Sequence, residues 1–151
     1  MIYLAADHRG FALKETIKKL LAGRGIAIED MGALVYDASD DYVDFAAAAA
    51  AKIAENPAER KGIFICGSGH GVDIVANKFR GIRAALCQNA ATAKQSREHE
   101  DANVLVLAAD TEDEAHAQDI VSAWLGTSFI GEDRHIRRLE KIKEIEQGNF
   151  K

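Results

Sequence analysis

Five short apolar runs, each followed by a segment of helical period or of polar helix formers, leave this chain few folds to adopt. The runs are Ile2-Tyr3-Leu4-Ala5-Ala6, Ile26-Ala27-Ile28-Glu29-Asp30, Ile63-Phe64-Ile65-Cys66, Ile82-Arg83-Ala84-Ala85-Leu86-Cys87 and Val104-Leu105-Val106-Leu107-Ala108. After the first, Leu13, Ile17, Leu20 and Leu21 recur at helical spacing, with Lys14, Lys18 and Lys19 on the outside. An alanine-rich helix opens at Tyr42 and stops near Asn56-Pro57, the only proline of the chain. Farther on, Ala117, Ile120, Val121 and Trp124 share a face, and a last helix from Arg134 to about Glu146 carries Ile136, Leu139, Ile142 and Ile145. Strands that alternate with helices predict the α/β class, a five-stranded parallel sheet covered on both faces. The last helix packs on its own sheet or reaches to a second subunit, and the pattern leaves both open.

A chain of 151 residues reads as a single domain, 1–151, long enough to bury about 70% of its unfolded surface. The net charge of -5 argues against nucleic acid or an acidic membrane surface as the main partner. No stretch reaches the ~20 apolar residues of a membrane span, and no basic region precedes the first apolar run. With two cysteines there is no disulfide framework, so a reducing cytoplasm is the expected setting.

The chemistry concentrates after the third run, in Cys66-Gly67-Ser68-Gly69-His70-Gly71-Val72. A strand would carry Cys66 to the carboxyl edge of the sheet, where open α/β sheets bind ligands. The alternating glycines let backbone N–H groups close on an anion. A dinucleotide fingerprint fits poorly: Val72 stands where the last glycine belongs, and the loop follows the third strand rather than the first. Cys66 is either a buried core thiol or a reactive one favoured by the helix start, whereas Cys87, with no glycine loop, reads as structural. Asp7-His8 ends the first strand on the same edge. The pair either moves a proton between sugar oxygens or simply caps the next helix. Arg134 and Arg138, four apart, share a helix face that suits a phosphate or faces solvent. His99, like His70, His116 and His135, reads as a surface residue when taken alone. No Cys/His cluster has metal-ligand spacing, so no metal site is expected.

Taken together, Asp7-His8-Arg9-Gly10, Asp41-Tyr42, Ile65-Cys66-Gly67-Ser68-Gly69, Ala76-Asn77-Lys78, Gly81-Ile82-Arg83-Ala84, Ser96-Arg97-Glu98-His99, Ala102-Asn103 and Arg134-His135 with Arg137-Arg138 resemble the type B ribose-5-phosphate isomerase family, which also includes galactose-6-phosphate isomerase subunits. The resemblance implies a Rossmann-like three-layer sandwich, no cofactor, and a homodimer or homotetramer with active sites shared between subunits. It implies an aldose–ketose isomerase acting on a phosphorylated sugar through a cis-enediolate, with ribose 5-phosphate and ribulose 5-phosphate the leading pair. In that scheme Cys66 takes the C2 proton, and His99 of another subunit acts as the acid in ring opening. Asp7, His8 and Tyr42 touch the sugar, Gly67, Ser68, Gly69, His70 and Gly71 hold the enediolate, and Arg134 and Arg138 bind phosphate. A glutamate base used by another branch of the family corresponds to Val72, which places this chain in the cysteine branch.

Three features depart from the family pattern. Glu100 stands where asparagine is usual, Asp110 stands where arginine is usual, and Glu132-Asp133 make the turn before Arg134 longer and more acidic. A carboxylate beside a phosphate dianion is repulsive by roughly a kcal/mol or more. Arg9, at a position often small or apolar, adds a cation, and Asp73 adds a further carboxylate. These changes point to a second expectation, the same chemistry on a tetrose phosphate or on allose or galactose 6-phosphate. A third is a sugar-phosphate-binding regulatory protein without turnover. Glu100 is expected to pair with Arg9 or Arg138 if it does not meet the substrate.

Overall fold

The computed structural model describes residues 1–149 and bears out the α/β expectation. Five parallel strands, β1 (Ile2–Ala6), β2 (Ile28–Asp30), β3 (Lys61–Cys66), β4 (Ala84–Leu86) and β5 (Val104–Ala108), form one sheet in the order β2-β1-β3-β5-β4. The three central strands are the most apolar runs, and their side chains are buried on both faces almost without exception. The two edge strands are only three residues long, shorter than their apolar runs, because only one neighbour holds each of them.

Helices α1 (Phe11–Gly23), α4 (Ala90–Glu100) and α5 (Glu114–Leu125) cover one face, and α2 (Tyr42–Ala54) and α3 (His70–Ala76) cover the other. On the first face, Leu4, Ile63, Ile65, Leu105 and Leu107 meet Ile17, Leu21, Ile120 and Trp124. On the second, the alanines of α2 (Ala46, Ala49, Ala50) let that helix lie close over Tyr3, Ala5 and Phe64. This is the three-layer sandwich. A last helix, α6 (Asp133–Asn149), stands apart: of its side chains only His135 is buried, and Ile136, Ile142 and Ile145 are exposed. No helix among the described residues is long and apolar enough to cross a membrane.

Among the described residues, one charged group, that of Lys14, lies wholly inside. Lys14 of α1 reaches Asp30 at the end of β2 (2.6 Å) and the carbonyl of Ala33 (2.6 Å), with Lys18 adding a second bond to Asp30 at 2.8 Å. Burial pushes the Asp30 carboxyl up, but hydrogen bonds from Lys14, Lys18 and the Gly32 N–H outweigh it and hold the group below its ordinary value. A depressed carboxylate contributes stability above its unfolded pKa, and the contribution is lost as pH falls through the folded value. Urea denaturation is therefore expected to show the Asp30→Ala penalty, about 3–5 kcal/mol at neutral pH, shrinking in acid. A penalty independent of pH would contradict the ion-pair account.

Candidate active site

Strands β1, β3 and β5 run side by side, and their carboxyl ends finish together. Ala6 pairs with Ile65, and Cys66 pairs with Ala108. Asp7-His8-Arg9-Gly10, Cys66-Gly67 and Ala109-Asp110 therefore emerge on one edge, as the sequence led us to expect. Two backbone bonds tie the ends: the Ala109 N–H donates to the Cys66 carbonyl and the Asp110 N–H to the Gly67 carbonyl, both at 2.9 Å. Gly10 lies so close to β3 that a Cβ there would sit 2.5 Å from the Ile65 carbonyl oxygen. Gly10→Ala must push backbone from backbone. It is expected to cost about 2 kcal/mol or more in thermal or urea unfolding, at the upper end of overpacking penalties.

Cys66 is 4% exposed and borders the apolar face under α2 and α3. The chain then turns through Gly69, which holds φ +79°, a left-handed conformation that an L side chain strains to adopt. The His70 N–H lies 3.3 Å from the Ser68 hydroxyl oxygen. Tyr42, in the first turn of α2, packs its ring on Gly71, where a Cβ would fall 2.5 Å from Tyr42 Cζ. Tyr42 is set there by the α2 start, which Asp41 caps by accepting from the Val43 N–H at 3.1 Å. One turn into α3, burial pushes the Asp73 carboxyl up while His70 pulls it down.

Asp7 does not cap α1 in the expected way. Its Oδ1 accepts from the N–H groups of Arg9 and Gly10, both at 3.0 Å, so it shapes the turn ahead of the helix. His8 is gripped by a residue that sequence reading passed over, Asp40, whose Oδ1 lies 2.7 Å from His8 Nδ1. Arg9 crosses to Asp110, with Nη2 donating to Oδ2 at 2.5 Å. A Cβ on Gly67 would lie 2.5 Å from Arg9 Nε and 2.6 Å from its Cζ, so the guanidinium lies across the residue that follows Cys66. Asp110 is therefore neutralised by Arg9. The pairing expected for Glu100 is not there: its side chain is exposed, and among the described residues it forms no ion pair, while Arg83 Nε donates to its backbone carbonyl at 2.8 Å.

The remaining expected residues stand elsewhere in the fold. Helix α4 starts after β4 at the carboxyl edge and runs back, so His99 and Glu100 at its end lie toward the opposite edge from Cys66. A nine-residue descent at 1.5 Å per residue is about 14 Å along the helix. There His99 stacks on His135 of α6, with ring centroids 4.4 Å apart and planes 17° from parallel. His135, read from sequence as a surface residue, is 2% exposed, and burial together with His99 and Arg134 pushes its pKa down. Arg134 and Arg138 are exposed beside it, and Arg134 Nε also meets Glu132 at 2.9 Å. The chain thus carries two clusters. Asp7, His8, Tyr42, Cys66 and the glycine loop form one, His99 and His135 with Arg134 and Arg138 form the other, and Glu100 faces a separate groove with Lys78, Ile142 and Glu146.

Comparison with known proteins decides the relationship. The family model described as ribose/galactose isomerase matches residues 2–142. The chain belongs to this family. Among ribose/galactose isomerases, ribose-5-phosphate isomerase B of Escherichia coli is 40% identical over 146 residues, covering 97% of this chain and 96% of that one. A probable ribose-5-phosphate isomerase B of Mycoplasma genitalium is 40% identical over 146 residues, covering 97% and 95%. Its crystal structure with bound ribulose-5-phosphate superposes with a TM-score of 0.94, at 40% identity over 97% of this chain and 95% of that one. Ribose-5-phosphate isomerase B of Clostridium thermocellum gives a TM-score of 0.92 at 42% identity, with 98% of each chain covered.

Proposed function

We propose that this chain is an aldose–ketose isomerase that interconverts ribose 5-phosphate and ribulose 5-phosphate. The observation that carries the proposal is the position of Cys66. It lies where three strand ends meet, beside a glycine loop, in a fold that matches a ribose-5-phosphate isomerase B with bound ribulose-5-phosphate across 97% of this chain. The whole chain, 1–151, acts as one sugar-phosphate isomerase domain, and two free cysteines suit a reducing cytoplasm.

After ring opening, Cys66 Sγ as thiolate takes the proton from C2 of the open-chain aldose. The electrons move to O1, giving a cis-enediolate. The thiol, whose proton exchanges with solvent meanwhile, then protonates C1 as the O2 hydroxyl loses its proton, O1 gains one, and the carbonyl forms at C2. Backbone N–H groups of Gly67 to Gly71 and the Ser68 hydroxyl stabilise the developing oxyanion, where preorganised donors have the largest effect. Asp7 and His8 handle the hydroxyl protons beside the reacting carbons, and Tyr42 and His70 flank the sugar. This scheme needs no cofactor.

His99 would act as the acid for ring opening, with Arg134 and Arg138 taking the phosphate, but in the site of a neighbouring subunit. The separation of the two clusters within one chain and the exposed apolar stripe of α6 both favour a homodimer or homotetramer with shared sites. Size measurement by light scattering tests the assembly.

Where arginine is usual, the chain presents the Arg9–Asp110 pair, with no net charge. The missing cation favours a second substrate reading, in which the same chemistry serves a tetrose phosphate or allose or galactose 6-phosphate. A panel of these sugar phosphates, assayed for isomerisation, decides: the highest kcat/KM is expected for ribose 5-phosphate, and a higher value for any other sugar overturns that choice. The pair itself is tested by exchange. Asp110→Arg alone sets two guanidinium groups against Gly67 and is expected to lower kcat/KM about tenfold, equivalent to roughly 1.4 kcal/mol. Adding Arg9→Asp restores the bridge in reverse and is expected to recover most of the loss. No recovery would mean that the two side chains act independently.

A further inference from the structure

The segment between β2 and α2 reads as a polar loop, yet it is built to deliver one side chain. Asp37 Oδ1 accepts from the Ser39 N–H at 2.9 Å and from its hydroxyl at 2.6 Å, and the Asp40 N–H donates to the Asp37 carbonyl at 3.1 Å. This closed turn directs Asp40 inward, where its side chain is only 8% exposed. Its Oδ1 accepts twice from one residue, from the His8 N–H at 2.9 Å and from His8 Nδ1 at 2.7 Å. Its Oδ2 is buried and has no hydrogen-bond partner among the described residues. Burying a carboxylate oxygen without a partner is unfavourable. What the loop gains in return is a fixed imidazole.

The tautomer follows from the acceptor. An ionised carboxylate only accepts hydrogen bonds, so the nitrogen facing Asp40 must carry the hydrogen. His8 is therefore held as Nδ1–H, and Nε2 is the nitrogen left available. Tyr36 limits the ring from another side, edge-on with centroids 6.3 Å apart. Free histidine in water favours the opposite tautomer, so the arrangement has to be imposed.

We propose that Asp40 is a positioning residue for the reaction: it acts through His8, fixing the imidazole as Nδ1–H so that Nε2 serves the sugar as acceptor or proton carrier. That Nε2 serves a sugar rests on the isomerase reading above, while the tautomer rests on the hydrogen bonds alone. Asparagine at this position keeps an oxygen that the His8 N–H holds in place, so it preserves the tautomer without the charge. Alanine removes both bonds.

The test uses the full-length protein and two variants, Asp40→Asn and Asp40→Ala, with long-range proton–nitrogen NMR of His8 at alkaline pH. The native protein and Asp40→Asn are expected to show Nδ1–H, and Asp40→Ala to revert to Nε2–H. With ribose 5-phosphate, Asp40→Ala is expected to lose about tenfold to a hundredfold in activity, mostly in kcat, and Asp40→Asn to keep most of it. An Nε2–H native protein would overturn the proposal, as would an alanine variant that stays Nδ1–H or fully active. An asparagine variant as defective as alanine, its tautomer intact, would also overturn positioning and give the role to charge. Should the native protein not turn over ribose 5-phosphate, the isomerase reading fails and the NMR comparison still decides the tautomer.

Discussion

Replacing Cys66 by alanine is expected to lower turnover of ribose 5-phosphate by a factor of about 10²–10⁴ while leaving KM nearly unchanged, the signature of losing a group that acts in the transition state. The reason is local. Cys66 is the thiol that β3 brings to the meeting point of three strand ends, and in the proposed mechanism its truncation removes the proton carrier while leaving the glycine loop in place. Cys87→Ala is the matched control. Cys87, at the end of β4, is as buried as Cys66, but burial pushes its thiol up, its sulfur lies 3.8 Å from the Ser96 hydroxyl, and no glycine loop stands beside it. Steady-state kinetics on both variants check the contrast. If Cys66→Ala kept most of its activity, Asp73, the half-buried carboxyl one turn into α3, would become the leading base.

Mixing two inactive proteins is expected to restore activity. Cys66→Ala and His99→Ala protomers carry defects in different clusters, and those clusters sit toward opposite edges of the sheet within one chain. If sites form between subunits, a hybrid dimer holds one site with both defects and one with neither. Activity should therefore rise from the background of each parent once subunits have exchanged, toward one complete site per hybrid. The measurement is isomerase rate after exchange, with exchange itself confirmed by mass spectrometry of the assembled species. Persisting inactivity in confirmed hybrids would place Cys66 and His99 in the same chain's site and would require α4 to move.

Much of this arrangement was legible in the residues. The strands β1, β3 and β5 are continuous apolar runs because both faces are covered, and a buried parallel strand has no polar side to confuse the pattern. Cys66 and Asp7-His8 were placed on one edge from strand polarity alone. What escaped depended on contacts far apart in sequence. Asp40 lies 32 positions from His8, in a loop with no periodicity, and its only signal is an aspartate-rich turn that also supplies the α2 cap. His135 reads as a surface residue because its burial comes from the packing of α6 on α4 rather than from any apolar pattern of its own. Asp110 emerges at the sheet edge as its strand predicts, but the Arg9 that pairs with it lies 101 positions away. Pairing across strand ends leaves no mark on either local segment. The edge strands came out shorter than their apolar runs for a related reason, since hydrogen bonding to one neighbour ends before hydrophobicity does.

Proton transfer between C1 and C2 of ribose 5-phosphate through Cys66 leaves an isotopic record in the product. Chelator-treated protein is incubated with ribose 5-phosphate in deuterium oxide, and the products are read by proton and carbon NMR. Ribulose 5-phosphate is expected with deuterium at C1, because a thiol exchanges with solvent during the enediolate's lifetime, and Cys66→Ala is expected to form neither product nor label above background. Failure of the native protein to form ribulose 5-phosphate, or deuterium entering C1 at the native rate in Cys66→Ala, would contradict transfer through Cys66.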